Sequence, residues 1–448
     1  MGTAGYRVVA LSHYPMQRDQ QAMLEGSADA TGSPLEARDA CAVGTGQGGK
    51  CAGSNLGSSR LEVGGVSRLA LMLTPQPEGS FLEQAREVFG ELRAKLGTGR
   101  KKSVVTLQTV FLKNWKNRVS CDRLFREFYA GECPAMNFVA QAPCNGAALA
   151  VEAWSVAGPG VRVERHSPHS LSVCSGDVRW IYCSGIHADY AVSGVHAGTM
   201  ATFEQMREAL QAADCGFESV VRTWFYLGGI TRKDRGIQRY KEFNRARSDF
   251  YHDVAFAGMG TRDTHSRAYP ASTGIGMRGD RLAASCMAVV TRKSKLVLLP
   301  LENPSQTPAF DYNERYSPKS PRFSRAMAML LGRDVTTWVS GTASITNSES
   351  RHRGDIEAQT RQTIENIRML ISRENFSAHG LKGAGALLGD LAKVRVYIKR
   401  PVDFPKCKAV CEELLGGTPA IYALGDVCRP ELLVEIEGVA FSRRKVSA

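Results

Sequence analysis

A strand-and-helix pattern occurs three times along this chain of 448 residues, and it constrains the fold more than any other feature. The C-terminal copy is the clearest. Ile356, Thr360, Ile364, Ile367 and Ile371 recur at helical spacing behind Asp355, which is placed to cap the helix start. Val394, Val396 and Ile398 then alternate with Arg395, Tyr397 and Lys399, the period-two signature of a half-buried strand. A second helix carries Phe404, Cys407, Cys411 and Leu414 on one face, and the strand Leu432-Leu-Val-Glu-Ile-Glu-Gly-Val439 closes the unit. The middle of the chain repeats this order. Trp180-Ile-Tyr-Cys-Ser-Gly185 resembles Trp338-Val-Ser-Gly341, a helix is expected over 202–213, and Val221-Arg-Thr-Trp-Phe225 matches Val394-Arg-Val-Tyr-Ile398. A weaker first copy has a helix over 80–96, a strand over 104–111, a short helix near 123–129 and a closing segment over 140–154.

Residues 24–60 are rich in Gly, Ala and Ser and poor in large apolar side chains, too little to offset the entropy of ordering. The expected organisation is a disordered segment 1–59, a degenerate unit 60–165, a second unit 166–295, an ordered proline-rich loop 296–325 and a C-terminal unit 326–448. The loop earns its separate status because prolines alternate there with Phe310, Tyr312, Tyr316 and Phe323, aromatics that a plain linker does not need.

The net charge of +13 raises a nucleic-acid reading, but the bases are spread along the chain and do not interleave with aromatics. Anionic small-molecule pockets account better for some of the arginines. The twelve cysteines form no Cys-x-x-Cys pair, as suits reduced thiols in a cytoplasmic protein. No apolar run reaches the roughly 20 residues that span a bilayer, and the start of the chain does not read as a signal peptide. No His/Cys/Asp cluster has metal-ligand spacing and no glycine motif fits a dinucleotide, so neither metal nor organic cofactor is expected.

The segment that carries chemistry is Trp338-Val-Ser-Gly-Thr-Ala-Ser-Ile-Thr-Asn-Ser-Glu-Ser-Arg-His-Arg-Gly-Asp355. Ser340–Ser344 reads as a small-residue turn in which backbone N–H groups crowd together, followed by one carboxylate, Glu349, among Arg351, His352 and Arg353. Together with Pro270-Ala-Ser-Thr-Gly-Ile-Gly276 and the Asn-Pro…Tyr-Ser-Pro…Phe-Ser-Arg-Ala loop, this pattern resembles the YjgF/RidA superfamily, and within it the chorismatases. The resemblance implies an α+β fold in which RidA/chorismate-mutase-like units are fused into a pseudo-trimer, with mixed sheets and helices on one face. It implies cleavage of the enolpyruvyl ether of chorismate, or a related cyclic carboxylate, with release of pyruvate. By the family's spacing Glu349 is the general acid, although this chain has Asn347-Ser348 where the family has Gly-His.

A dianionic substrate calls for two carboxylate clamps, and the planar fork of arginine suits that task. Arg247 falls on the apolar Tyr240/Phe243/Phe250 face of a helix, where packing alone would place an apolar residue. Arg353 and Arg429 are further clamps, Tyr251 is a hydroxyl donor, and Ser272, Thr273 and Gly274 form a turn able to present hydroxyl and backbone donors. Glu435 and Glu437 are expected to pair with basic neighbours. A RidA-like imine or enamine hydrolase is the alternative, but aligning Pro430 with that family's proline puts Cys428, not Arg429, where its substrate-clamping arginine stands. A small-molecule-binding protein without catalysis is the other. The expected partner is a small anionic substrate, with no membrane and no nucleic acid, and the chain is a monomer or a homo-oligomer of pseudo-trimers.

Overall fold

The computed structural model describes residues 55–63, 66–97, 103–256, 269–292, 296–313 and 316–445. Most of the segment expected to be disordered, residues 1–54, lies outside the described residues. Its last five residues do not fit that expectation, because the first strand starts at Asn55. They are ordered by backbone pairing rather than by apolar content, since β1 (Asn55–Val63) runs antiparallel to β2 (Val66–Thr74) from Asn55↔Thr74 to Val63↔Val66.

The first unit continues with α1 (Phe81–Leu96), β3 (Val104–Leu112), α2 (Arg118–Phe128), β4 (Ala135–Val139) and β5 (Leu149–Ala157). The second contains β6 (Arg162–Ser167), β7 (Ser170–Ser175), β8 (Val178–Asp189), α3 (Tyr190–Gln211), β9 (Val220–Gly228) and a small ribbon of β10 (Lys233–Asp234) and β11 (Ile237–Gln238). It ends with α4 (Arg239–Tyr251), β12 (Ala271–Met277) and β13 (Arg281–Thr291). The third begins with β14 (Leu296–Leu301), β15 (Ala326–Leu331), β16 (Asp334–Ala343), β17 (Ile345–Thr346) and β18 (Glu349–Ser350). It is completed by α5 (Ile356–Ile371), α6 (Arg373–Ala378), β19 (Leu391–Ile398), α7 (Phe404–Leu415), β20 (Ala420–Leu424) and β21 (Val434–Arg443).

The second and third sheets, β6-β7-β8-β13-β9-β12 and β14-β15-β16-β21-β19-β20, share one six-stranded topology, and the first, β1-β2-β5-β3-β4, repeats it without the outer strand. In each, the strand after the long helix lies parallel to the next one (β3/β4, β9/β12, β19/β20), and the other neighbours are antiparallel. Two expected boundaries move. The second unit's sheet begins at Arg162, and the first six residues of the expected loop are the edge strand β14.

Local sequence explains the helix starts. Asp355 accepts a hydrogen bond from the Ala358 N–H at 3.0 Å, and Ser80 and Glu83 form a reciprocal capping box at α1. The helix expected over 202–213 is the end of the longer α3, which is broken at Gly194, where φ is 74°. Among the described residues no helix is long and apolar enough to cross a membrane.

Each sheet buries one face under its own helices: Val88 and Phe125 in the first unit, Phe203 and Phe243 in the second, Ile364 and Cys407 in the third. The other faces form one shared core, in which Trp154, Trp180, Trp224, Trp338 and Phe441 come from all three units. Each sheet therefore needs the other two, because alone it would leave its inner aromatic face in water. That core holds a charged cluster. Glu152 pairs with Lys393 and Arg395, and Glu437 pairs with Arg222 and Arg395. Tyr397 and Trp224 each donate a further hydrogen bond to Glu437, both at 3.0 Å.

Candidate active site

A cavity of about 780 Å³, including its open mouth, lies where the second and third units meet under the proline-rich loop. Helix α4 contributes Tyr240, Lys241, Asn244 and Arg247 to its wall, and β12 contributes Ser272 and Gly274. The loop supplies Tyr312, Tyr316, Phe323 and Arg325, and the third unit supplies Gly341, Cys428, Arg429 and Glu435. The loop is held down by Asn303 Nδ2 donating to the Asn366 carbonyl at 2.7 Å and Gln306 Nε2 donating to the Ile345 carbonyl at 2.9 Å.

Four cations reach this wall, Lys241, Arg247, Arg325 and Arg429. Arg247 is 1% exposed, with its guanidinium 5.1 Å from the Phe243 ring centroid and 5.6 Å from that of Phe323. It donates to Asn244 Oδ1 at 2.7 Å, and among the described residues no carboxylate pairs with it. Burial lowers its pKa, as for a cation desolvated without a counter-charge. Arg325 donates to the Tyr312 hydroxyl at 2.7 Å and to the Thr307 carbonyl at 3.0 Å. Arg429 stacks 4.6 Å from the Tyr316 ring centroid and donates to the Ser348 carbonyl at 2.8 Å.

The one carboxyl on the wall is Glu435, in β21. Burial, then the negative charge of Glu437, pushes its pKa up to about 8, against the opposing pull of Arg222 and Arg325. It is a protonated acid at neutral pH. Gly341 makes room for it, since a Cβ there would collide with the Glu435 carboxyl. The adjacent Cys428 thiol is also neutral, pushed up to about 12 by burial and then by the Glu435 charge.

Of the residues singled out from sequence, Arg247, Ser272, Gly274 and Arg429 line this cavity; Glu349, Tyr251, Thr273 and Arg353 do not. Glu349 sits on β18, half-buried, and accepts a hydrogen bond from the Tyr316 hydroxyl, so it stands behind the wall. Thr273 points the other way because neighbouring strand residues alternate faces, and its hydroxyl donates to Glu437 in the central cluster. Tyr251 packs among Phe203, Phe256 and Tyr269 in the second unit's core. Arg353 is exposed.

Ser340–Ser344 is not a turn. Residues up to Ala343 belong to β16, which carries a bulge between Val339 and Thr342, and the Ser340 N–H is bound to the Arg325 carbonyl at 2.9 Å. Glu437 has the basic partners expected of it, but Glu435 forms no salt bridge among the described residues. The sequence reading also passed over Arg325, Tyr312 and Cys428 as parts of a site. The available signal was the run Val434-Glu-Ile-Glu437, which sets two carboxylates on one face of an otherwise apolar strand.

Three sheets of one shared strand order in a single chain, with a cationic cavity between two of the units, define a protein built of fused RidA-like units. A family model described as chorismatase FkbO/Hyg5-like, N-terminal, matches residues 152–288. A 3-hydroxybenzoate synthase of Streptomyces hygroscopicus is 36% identical over 247 residues, covering 54% of this chain and 68% of that protein. A chorismatase crystal structure superposes with a TM-score of 0.57 at 22% identity, over 75% of this chain and 92% of the other. A RutC family protein of Pyrococcus horikoshii is 36% identical over 91 residues, 20% of this chain and 64% of its own. The chain belongs to the chorismatase family and is an enzyme of that type.

Proposed function

We propose that this cavity binds chorismate, or a closely related cyclic enol ether dicarboxylate, and that Glu435 starts its cleavage to pyruvate. The carrying observation is a buried carboxyl with a pKa of about 8 on a wall that also holds Lys241, Arg247, Arg325 and Arg429. Two carboxylates of a dianion need two cationic clamps, and Arg247 and Arg325 suit these roles because both are buried and neither forms a salt bridge among the described residues. Arg429, stacked on Tyr316, sits beside them.

In this reading Glu435 delivers its proton to the methylene carbon of the enolpyruvyl group, and an oxocarbenium-like centre forms next to the ether oxygen. Water adds to that centre, and the resulting hemiketal collapses to pyruvate and a ring alcohol. Loss of one water from that ring diol then leaves a hydroxybenzoate, so that water is neither consumed nor released overall. Likeness to a 3-hydroxybenzoate synthase makes the aromatic product the first to look for. Glu349 then orients Tyr316 rather than donating the proton.

The test is incubation with chorismate, with pyruvate followed by a coupled assay and the ring product by chromatography. Stoichiometric pyruvate is expected, with kcat falling as pH rises through about 8, because an ionised Glu435 has no proton to give. Glu435→Gln keeps the shape and should lose about 10²–10⁴-fold in kcat. No pyruvate from the parent enzyme, or full turnover by Glu435→Gln, refutes the reading.

A further inference from the structure

A second cavity opens in the shared core, walled by Trp154 of the first unit, Trp180 and Tyr182 of the second, and Trp338 and Phe441 of the third. Phe441 lies six residues beyond Glu435 along β21, roughly 20 Å at the rise of a strand, so the two cavities occupy opposite ends of that core.

One charged residue lines this aromatic wall, Arg68 on β2, with its guanidinium 4.2 Å from the Trp180 ring centroid. Burial lowers its pKa, and among the described residues the Tyr182 phenol, and no carboxylate, offsets this. Arg68 is half-buried and forms no salt bridge among the described residues, whereas the fully buried Arg222 and Arg395 are both paired. Among the described residues the indole N–H groups of Trp180 and Trp338 and the Ser155 hydroxyl, on the same wall, also have no hydrogen-bond partner.

The fold does not require an arginine here. Arg68 pairs with Val156, four residues beyond Glu152. The equivalent place in the third unit, opposite Phe441 and four residues beyond Glu437, is held by Thr336. A desolvated cation without a counter-charge is costly, and aromatic walls around it favour a ligand with a flat apolar body and one anionic end. An inorganic anion would satisfy the arginine but leave the rings without contacts.

We propose that this second cavity binds a small aromatic carboxylate, with its ring among the tryptophans and its carboxylate on Arg68. The site is separate from the cavity that holds Glu435, and binding there does not depend on what reaction that cavity performs.

The test is titration of the full chain with benzoate, read by tryptophan fluorescence. The chain has five tryptophans; three line the second cavity and none lines the first, so the signal reports the proposed site. A saturable change is expected in the parent. Arg68→Met should weaken it at least about tenfold, through loss of a charge-assisted pair, and Arg68→Lys less. Arg247→Met, in the first cavity, should leave it intact. Thermal melts of the same samples should show Arg68→Met melting at or above the parent temperature, since it removes an uncompensated charge. Absence of a saturable change in the parent, parent-like binding by Arg68→Met, or loss of the signal in Arg247→Met would each overturn the proposal. So would an equal response to chloride or inorganic phosphate, which identifies an inorganic anion as the occupant.

Discussion

Glu435 and Glu437 stand two residues apart on the same face of β21, and their surroundings could hardly differ more. Glu437 is held by Arg222, Arg395, Tyr397, Trp224 and Thr273, and it is kept below the usual carboxylate range because the neighbouring cations outweigh its burial. Glu435 is also buried, with no ion-pair partner among the described residues, and its pKa rises to about 8. Burial alone does not decide what a carboxyl does; the partners waiting for it do. One is ionised and ties the second and third sheets together, with Arg395 reaching on to Glu152 of the first, whereas the other has a raised pKa and faces a cavity. The pair is coupled, since the fixed charge of Glu437 is itself a cause of the raised Glu435 value.

The contrast breaks most visibly at Glu437. Glu437→Gln leaves Arg222 and Arg395 without that counter-charge in a dry core, and it should cost about 3–5 kcal/mol of stability, read from urea or thermal unfolding. Unfolding like the parent's would mean that the cluster is solvated or redundant. Arg247→Met removes a cation that no protein carboxylate balances, so stability should hold while KM for chorismate rises about 10–100-fold with kcat nearly kept. An equal fall in kcat instead would give Arg247 a role in the transition state. Glu349→Gln should have the smallest effect. It keeps a hydrogen-bond acceptor for Tyr316, and turnover should fall only a few-fold. A loss as large as that of Glu435→Gln would return the proton-donor role to Glu349.

The repeat was legible in the sequence because helix and strand periods survive in each copy, and Asp355 marked its helix start as the capping rule requires. Arg247 was legible for a related reason: a charge on an apolar helix face needs an explanation. The carboxyl on the cavity wall was harder to find. Glu349 follows the Ser-Gly-Thr segment in sequence, but that segment is strand, and the loop with Tyr312, Tyr316 and Arg325 folds across in front of it. Such a loop has no periodicity, so neither its path nor its contacts can be read from residue spacing. Glu435 and Glu437 look alike in sequence, and part of what separates them is contributed by another unit: Arg222 and Thr273 of the second unit hydrogen-bond to Glu437, beside Arg395 and Tyr397 of its own. Strand alternation in turn separates Ser272 and Gly274, on the cavity, from Thr273, in the cluster.

The proton on Glu435 can be observed directly by carbon NMR titration of protein labelled at the glutamate side-chain carboxyls, with Glu435→Gln beside the parent. One carboxyl in the parent should titrate with a midpoint near 8 and be absent from Glu435→Gln, while the Glu437 signal stays in its ionised position down to acid pH. A parent in which every glutamate has lost its proton by about pH 6 would contradict the assignment of Glu435 as the acid.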